Sequence, residues 1–158
     1  MADDGRADVT LTPVAHVRGG RVEPDDDHWG EVTADLELAS HLPDDAIAGL
    51  DQFSHLVAVF QFHRLDPAQV RTGARRPRGN PAWPEVGVFA QRGSPRPNRL
   101  GVTTCDILGV DGRRVRVRGL DAIDSAPVLD MKPAMKGFEP RGALRQPGWA
   151  DDIMRDDW

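Results

Sequence analysis

Apolar and polar residues alternate along short stretches of this chain, and proline or glycine separates one stretch from the next. Residues 30–38 (GEVTADLEL) alternate cleanly, with Val32, Ala34, Leu36 and Leu38 on one face. Period two with a polar opposite face predicts a half-buried strand. Residues 12–18 (TPVAHVR), 86–91 (VGVFAQ), 101–110 (GVTTCDILGV) and 114–118 (RVRVR) also read as strands, the last with arginine on one face. Residues 55–63 (HLVAVFQFH) are the most apolar run and predict a central, buried strand. Residues 127–130 add a last short strand, and Asp111-Gly112 predicts a hairpin turn. One segment reads as a short helical turn and another as a short helix. Residues 44–50 begin with acid, which suits a helix dipole, and residues 148–155 lie near the C-terminus. Residues 66–84 form a long loop. About seven short strands with little helix predict an all-β fold, a small barrel or sandwich. The expected organisation is a flexible N-terminus (1–11), one β domain (12–135) and a C-terminal tail (136–158) that folds over a site or a partner. Trp149 and Trp158 are candidates to pin that tail.

At 158 residues the chain has the length of one domain and needs no staple to fold. Its one cysteine, Cys105, excludes a disulfide framework and a multi-cysteine metal site. Cys105 falls in a predicted strand and reads as core. No apolar run approaches the roughly 20 residues of a membrane span. The acidic, polar start is not a secretory signal, so a cytoplasmic protein is expected. Net charge is -5, which weighs against a dedicated nucleic-acid binder. The basic residues are clustered, however: Arg71, Arg75, Arg76 and Arg78; Arg92, Arg96 and Arg99; Arg113, Arg114, Arg116 and Arg118. Only Lys132 and Lys136 are lysine. Guanidinium suits phosphate and carboxylate, although arginine-rich codon usage explains the bias equally well.

Motif inspection excludes several chemistries. There is no glycine-rich dinucleotide fingerprint, no P-loop and no nucleophile elbow. No two histidines have the spacing of a zinc site, and no metal is expected. His55 and His63 flank one predicted strand, about 26 Å apart at ~3.3 Å per residue, and cannot share an ion. Two segments stand out. Residues 87–101 (GVFAQRGSPRPNRLG) place three arginines and two prolines between apolar strands. Such a loop is either a rigid anion clamp or a stiff hairpin with solvated arginines. Residues 119–133 (GLDAIDSAPVLDMKP) set Asp121, Asp124 and Asp130 around a turn. These carboxylates either read ligand hydroxyls or cations, or Asp124-Ser125 forms an ordinary Asx-type turn.

Taken together, four segments resemble one family, the TrmO/TsaA-like S-adenosylmethionine-dependent methyltransferases. They are PVAHVR (13–18), LDQFSHLVAVFQFH (50–63), GVFAQRGSPRPNRLGVT (87–103) and GLDAIDSAPVLDMKP (119–133). The third resembles the family's G-[VI]-F-A-x-R-x-x-x-R-P-N-P-I-G pattern, and the fourth resembles G-L-D-x-[VIL]-D-G-T-P-V-[LV]-D-I-K-P. The likeness runs from about residue 12 to 135. It implies a small β-barrel, a homodimer with S-adenosylmethionine near the subunit interface, and methylation of N6-threonylcarbamoyladenosine beside a tRNA anticodon. It also implies a cofactor site built from Asp27, His28, His63, Arg64, Arg92, Leu100, Asp121, Asp124 and Ser125. Arg96, Asn98, Arg76 and Arg78 would face the substrate. The chain departs from the pattern at three places. Arg99 stands for the second proline of R-P-N-P, Ser125-Ala126 for Gly-Thr, and DDDHW (25–29) for the family's loop. The RNA-contacting extension of longer members is expected to be missing.

No residue stands out as a general base. His63, Asp124 and His28 are candidates, and each has an ordinary structural reading. Methyl transfer is an in-line displacement that depends mainly on alignment and exclusion of water. Three functions fit these residues. The first is a tRNA methyltransferase whose basic loop and arginine strand grip phosphate. The second is a methyltransferase of the same fold acting on a small molecule or another RNA. The third is a non-catalytic module that binds S-adenosylmethionine.

Overall fold

The computed structural model describes Gly5 and residues 7–158; part of the expected flexible N-terminus therefore lies outside the described residues. Six strands close into an antiparallel barrel in the order β1-β2-β7-β6-β3-β8. They are β1 (Ala15–Arg18), β2 (Thr33–Leu38), β3 (His55–Gln61), β6 (Leu100–Asp111), β7 (Arg114–Arg118) and β8 (Pro127–Pro133). A separate two-stranded ribbon pairs β4 (Ala74–Arg75) with β5 (Val86–Gly87). The helix is α1 (Gly148–Ile153).

Alternation explains the barrel directly. Ala34, Leu36 and Leu38 of β2 and Val115 and Val117 of β7 point inward and are buried. Leu56, Ala58 and Phe60 of β3 meet Cys105 and Val128 in the same core. Cys105 is buried, and burial pushes its thiol up to about 12. The outward positions of β2 and β7 carry opposite charges in register. Asp35 faces Arg116 and Glu37 faces Arg114. Their ion pairs measure 2.9 Å and 2.6 Å. Arg118 pairs with Asp106 of β6 at 2.9 Å, and Asp106 takes His55 of β3 at 2.8 Å. The arginine strand is thus half of a charge ladder across four strands, and its guanidinium groups already have partners. The Arg116 hydrogen bond holds the Asp35 carboxyl below its usual range.

Several expected elements shift. The strand expected over 86–91 is only Val86–Gly87, followed by a 3-10 turn at Val88–Ala90. The Gln91 side chain fixes that turn by donating Nε2 to the Arg75 and Val86 carbonyls. The strand expected over 55–63 ends at Gln61, so His63 lies beyond it. The helical turn expected over 44–50 is split into 3-10 turns at Asp44–Ile47 and Leu50–Gln52. The last strand runs to Pro133 rather than Asp130.

Gly101 lies opposite Phe60 across β6 and β3. A Cβ at position 101 would come within 2.5 Å of the Phe60 ring. Phe60 in turn packs edge-on against Phe62, with ring centroids 5.2 Å apart. Gly101→Ala should therefore cost about 1–3 kcal/mol of stability, the usual range for overpacking. Urea unfolding should show a lower midpoint at an unchanged m-value. An unaltered midpoint would contradict this packing.

Candidate functional site

Antiparallel closure sends alternate connections to one end of the barrel. The loops 19–32 (β1 to β2), 62–99 (β3 to β6) and 119–126 (β7 to β8) all emerge at that end. Every residue expected at a cofactor or substrate site lies on these loops or at the first residue of β6, Leu100. The strand lengths then make room for them. β7 meets β6 only from Asp106 onward, so Leu100–Cys105 lack a neighbour on the β7 side. Side chains complete that open edge. The Thr103 hydroxyl donates to Asp121 Oδ1, and Arg92 Nη2 donates to the Val102 carbonyl at 2.6 Å. Burial raises the Asp121 carboxyl pKa, while the Thr103 hydrogen bond and the Arg92 charge act against that rise.

A second cluster sits at the β1–β8 seam. Asp124 Oδ1 accepts from the Gly19 amide at 2.8 Å, and Ser125 Oγ donates to Asp124 Oδ2 at 3.2 Å. Asp124 thus caps a backbone amide 105 positions away across the seam, a long-range bond rather than the expected local Asx-type turn. Ser125 holds φ +70, the left-handed region that the glycine of the family pattern adopts without cost. His63 lies within the electrostatic reach of Asp124, Arg64 and His16. Its Nδ1 is buried and has no hydrogen-bond partner. Burial, and then the Arg64 charge, hold its pKa below 6.5. Arg64 donates to the Val22 carbonyl at 2.7 Å and ties loop 62–99 to loop 19–32.

The arginine loop behaves differently from a free anion clamp. Arg96 Nη1 donates to the Gln91 carbonyl at 2.7 Å, Arg99 Nη1 to that of Leu65 at 2.8 Å, and Arg76 Nη1 to that of Trp83. Arg78 pairs with Asp27 at 3.0 Å. Asn98 stands exposed at φ +65, and Arg99 follows at φ +53. Proline cannot reach a positive φ, so this turn requires a non-proline residue at 99. Irregular loops leave carbonyls without partners, and these guanidinium forks satisfy them.

Loop 19–32 is built around Trp29, which is 3% exposed. Its Nε1 donates to the Asp25 carbonyl at 2.9 Å. Arg21 stacks 4.5 Å above the indole and donates to the Asp27 and His28 carbonyls. His28 is exposed, with φ +64. Arg21, Thr103 and Asp157 join the site without having been singled out by sequence. Thr103 sits inside the third motif, whereas Asp157 has no local signal beyond the tryptophan beside it.

Arg92, Asp121 and the unpartnered nitrogen of His63 give the rim a cation, an anion and a neutral ring. Such a set fits a ligand carrying both charges together with polar ring atoms. Two open clefts of about 710 and 370 Å³ lie instead on the outer face of β1, β2 and β7. Neither is lined by loops 62–99 or 119–126, and the arginines at Arg18, Arg114 and Arg116 are ion-paired there. The chemistry of the rim therefore outweighs their size. Among the described residues, no cluster of three or more metal-ligating side chains occurs, and no helix is long and apolar enough to cross a membrane.

Known proteins resemble this chain over most of its length. A family model described as tRNA-methyltransferase O N-terminal domain matches residues 24–139. A mouse tRNA (adenine(37)-N6)-methyltransferase is 36% identical over 97 residues, covering 61% of this chain and 22% of that protein. A probable S-adenosyl-L-methionine-binding protein of Methanothermobacter thermautotrophicus is 30% identical over 138 residues, covering 85% of this chain and 96% of that protein. The crystal structure of TrmO from Pseudomonas aeruginosa superposes with a TM-score of 0.67 at 25% identity, over 88% of this chain and 62% of that one. The chain spans less than a quarter of the length of the mammalian relatives it matches.

The state of His63 is open to direct measurement. Its folded pKa lies below the value of 6.5 expected when unfolded. Below pH 6.5 the unfolded chain therefore binds a proton that the folded chain refuses. Stability should fall as pH drops through this window and level off below the folded value. NMR titration should place the His63 midpoint below 6.5, and His63→Gln should flatten this part of the stability profile. A midpoint at or above 6.5 would refute a ring held neutral by partial desolvation.

Proposed function

The chain belongs to the family of tRNA-methyltransferase O N-terminal domains, and on that premise we propose that it is an S-adenosylmethionine-dependent methyltransferase acting on the N6 group of a tRNA adenosine. One observation carries the reading: three sequence-distant segments lie at one end of the barrel, where 87–103 meets 119–126 through Thr103, Arg92 and Asp121, and 62–64 meets 119–126 through His63 and Asp124. The buried, unpartnered Nδ1 of His63 is the kind of orphan that a ligand satisfies.

The residues fit the cofactor's chemistry. Arg92 spends one donor on Val102 and keeps others for a carboxylate. Asp121, fixed by Thr103, is an acceptor for hydroxyl or ammonium groups. Asp124 and Ser125 act one step back, by shaping the turn that closes the seam, and Asp27 and His28 belong to the wall formed around Trp29. When bound, S-adenosylmethionine supplies a methyl group activated by its sulfonium. The protein's part is alignment and exclusion of water. His63, neutral at physiological pH, provides a ring nitrogen able to take a proton near the rim. Arg96, Arg76 and Arg78 act on the substrate mainly by holding loop 62–99 in shape. Asn98, exposed at the tip of the turn, is the residue of that set left to meet it.

Working as a homodimer in the cytoplasm fits this reading. The rim lies on an open surface, and Phe89, three residues before Arg92, is 79% exposed on a turn anchored by buried Val88. A second copy covering that surface would enclose the cofactor. One observation favours a different substrate: the arginines of β7 and of loop 62–99 are largely paired within the chain, which leaves few to grip phosphate. A smaller acceptor on the same rim is the second reading.

Ligand binding and turnover separate these readings. At about 100 times its dissociation constant, S-adenosylmethionine should stabilise the fold by about 2.7 kcal/mol. That corresponds to a melting-point rise of about 5–10 °C for a domain of this size. Arg92→Ala should fold and lose most of the rise. Labelled methyl should then appear in tRNA adenosine. Label found only in low-mass products of a metabolite extract would favour the smaller acceptor. No rise at millimolar ligand would reject the cofactor site.

A further inference from the structure

The tail leaves β8 at the far end of the barrel, where the Ala134 amide donates to the His55 carbonyl at 3.0 Å. Its last residues nevertheless lie at the rim, so the tail travels the height of the barrel. There it docks on loop 19–32 with main-chain geometry. The His28 amide donates to the Asp156 carbonyl and the Trp29 amide to the Asp157 carbonyl, both at 2.8 Å. Gly30 lets the chain come this close. A Cβ at position 30 would stand 2.9 Å from the Trp158 carbonyl carbon and 3.2 Å from its Cα. The neighbour is backbone and cannot swing aside.

The docked segment also reaches the other loops. The Asp157 side chain is 14% exposed, and its Oδ1 lies 3.9 Å from Arg78 Nη2. The same Arg78 guanidinium holds Asp27 at 3.0 Å and approaches Asp26 at 4.0 Å. Arg78 comes from loop 62–99 and Asp27 from loop 19–32. Asp121, on the third loop, is near enough to influence the Asp157 carboxyl. Burial raises the Asp157 pKa, Asp121, Asp27 and Asp26 add to the rise, and Arg78 opposes it.

We infer that residues 156–158 are a strap that positions the cofactor-binding rim, with Asp157 as its positioning residue. The strap fixes the main chain at His28 and Trp29 and, through Arg78, joins the loops on which Asp27 and Arg92 stand. It contributes nothing to the barrel core, since none of its side chains enters that cluster. Its loss should loosen the rim and leave the β-sheet intact. The inference rests on the cofactor reading above and deepens it by adding a wall that the sequence motifs do not contain.

Two full-length variants test it. Gly30→Val should expel the strap, because the added Cβ and methyls collide with backbone. Asp157→Asn keeps the main-chain bonds and removes only the charge. Amide hydrogen exchange is the first readout. In Gly30→Val the His28 and Trp29 amides should lose protection, while the amides of β3 and β6 keep theirs. In Asp157→Asn all of them should stay protected. The second readout is S-adenosylmethionine affinity by calorimetry. Gly30→Val should bind about tenfold more weakly, and Asp157→Asn should weaken binding less. Combining Gly30→Val with Asp157→Asn should add nothing further, because the strap is already displaced. Unaltered exchange at His28 and Trp29 in Gly30→Val would overturn the docking. Lost protection with full affinity would overturn the positioning role. If the unaltered protein binds no S-adenosylmethionine, the cofactor reading falls and the positioning role falls with it, whatever the exchange pattern shows.

Discussion

The seam between β1 and β8 is the narrowest join in the barrel, and the rim depends on it. β1 has four residues, and only Ala15 and His16 pair with β8. The turn before β8 supplies the rest. The Val17 amide donates to the Ala126 carbonyl at 3.0 Å and the Ser125 amide to the Val17 carbonyl at 2.7 Å. The Asp124 amide reaches the Arg21 carbonyl, and its carboxylate caps Gly19. These bonds finish the ring of strands and set where loop 19–32 begins. A sheet open at this point would expose two edges and lose the fixed relation between the three rim loops.

From that closed ring follows a division of labour between outside and top. The outward faces of β2, β7 and β6 are occupied by paired charges, which hold register and keep the surface polar. The top is irregular, and its loops are long. Their carbonyls have no ladder to join, so Arg21, Arg64, Arg76, Arg96 and Arg99 bond them instead, while Arg92 bonds the Val102 carbonyl on the open edge of β6. Hydrogen bonds from a charged donor are worth about 1.5–3 kcal/mol each. The arginine richness of a net acidic chain thereby acquires a structural use.

The strands were legible because each obeys a local rule. Val17, Leu36, Val115 and Val117 could be placed inside from alternation alone, and Cys105 with them. The failures have a common cause. Residues 86–91 carry a strand's apolar pattern, but no long neighbour lies beside them, and Gln91 draws the chain into a turn. The motif residues gather at one end of the barrel, yet their individual parts in it could not be read from spacing. Asp124 resembles a ligand carboxylate in sequence and is a backbone cap in space. Arg96 resembles a phosphate donor and is bonded to Gln91. The docking of Asp156 and Asp157 depends on a path along the whole barrel and on a missing Cβ at Gly30, and no window of sequence contains both.

The arginine bonds of the rim have an evolutionary consequence. Their acceptors are main-chain carbonyls, which every amino acid carries whatever its side chain. Val22, Leu65 and Trp83 could each change identity and still present the same oxygen. A scaffold fastened this way is indifferent to drift at the positions it fastens. The loops can therefore exchange the side chains at those positions while their course in space stays the same.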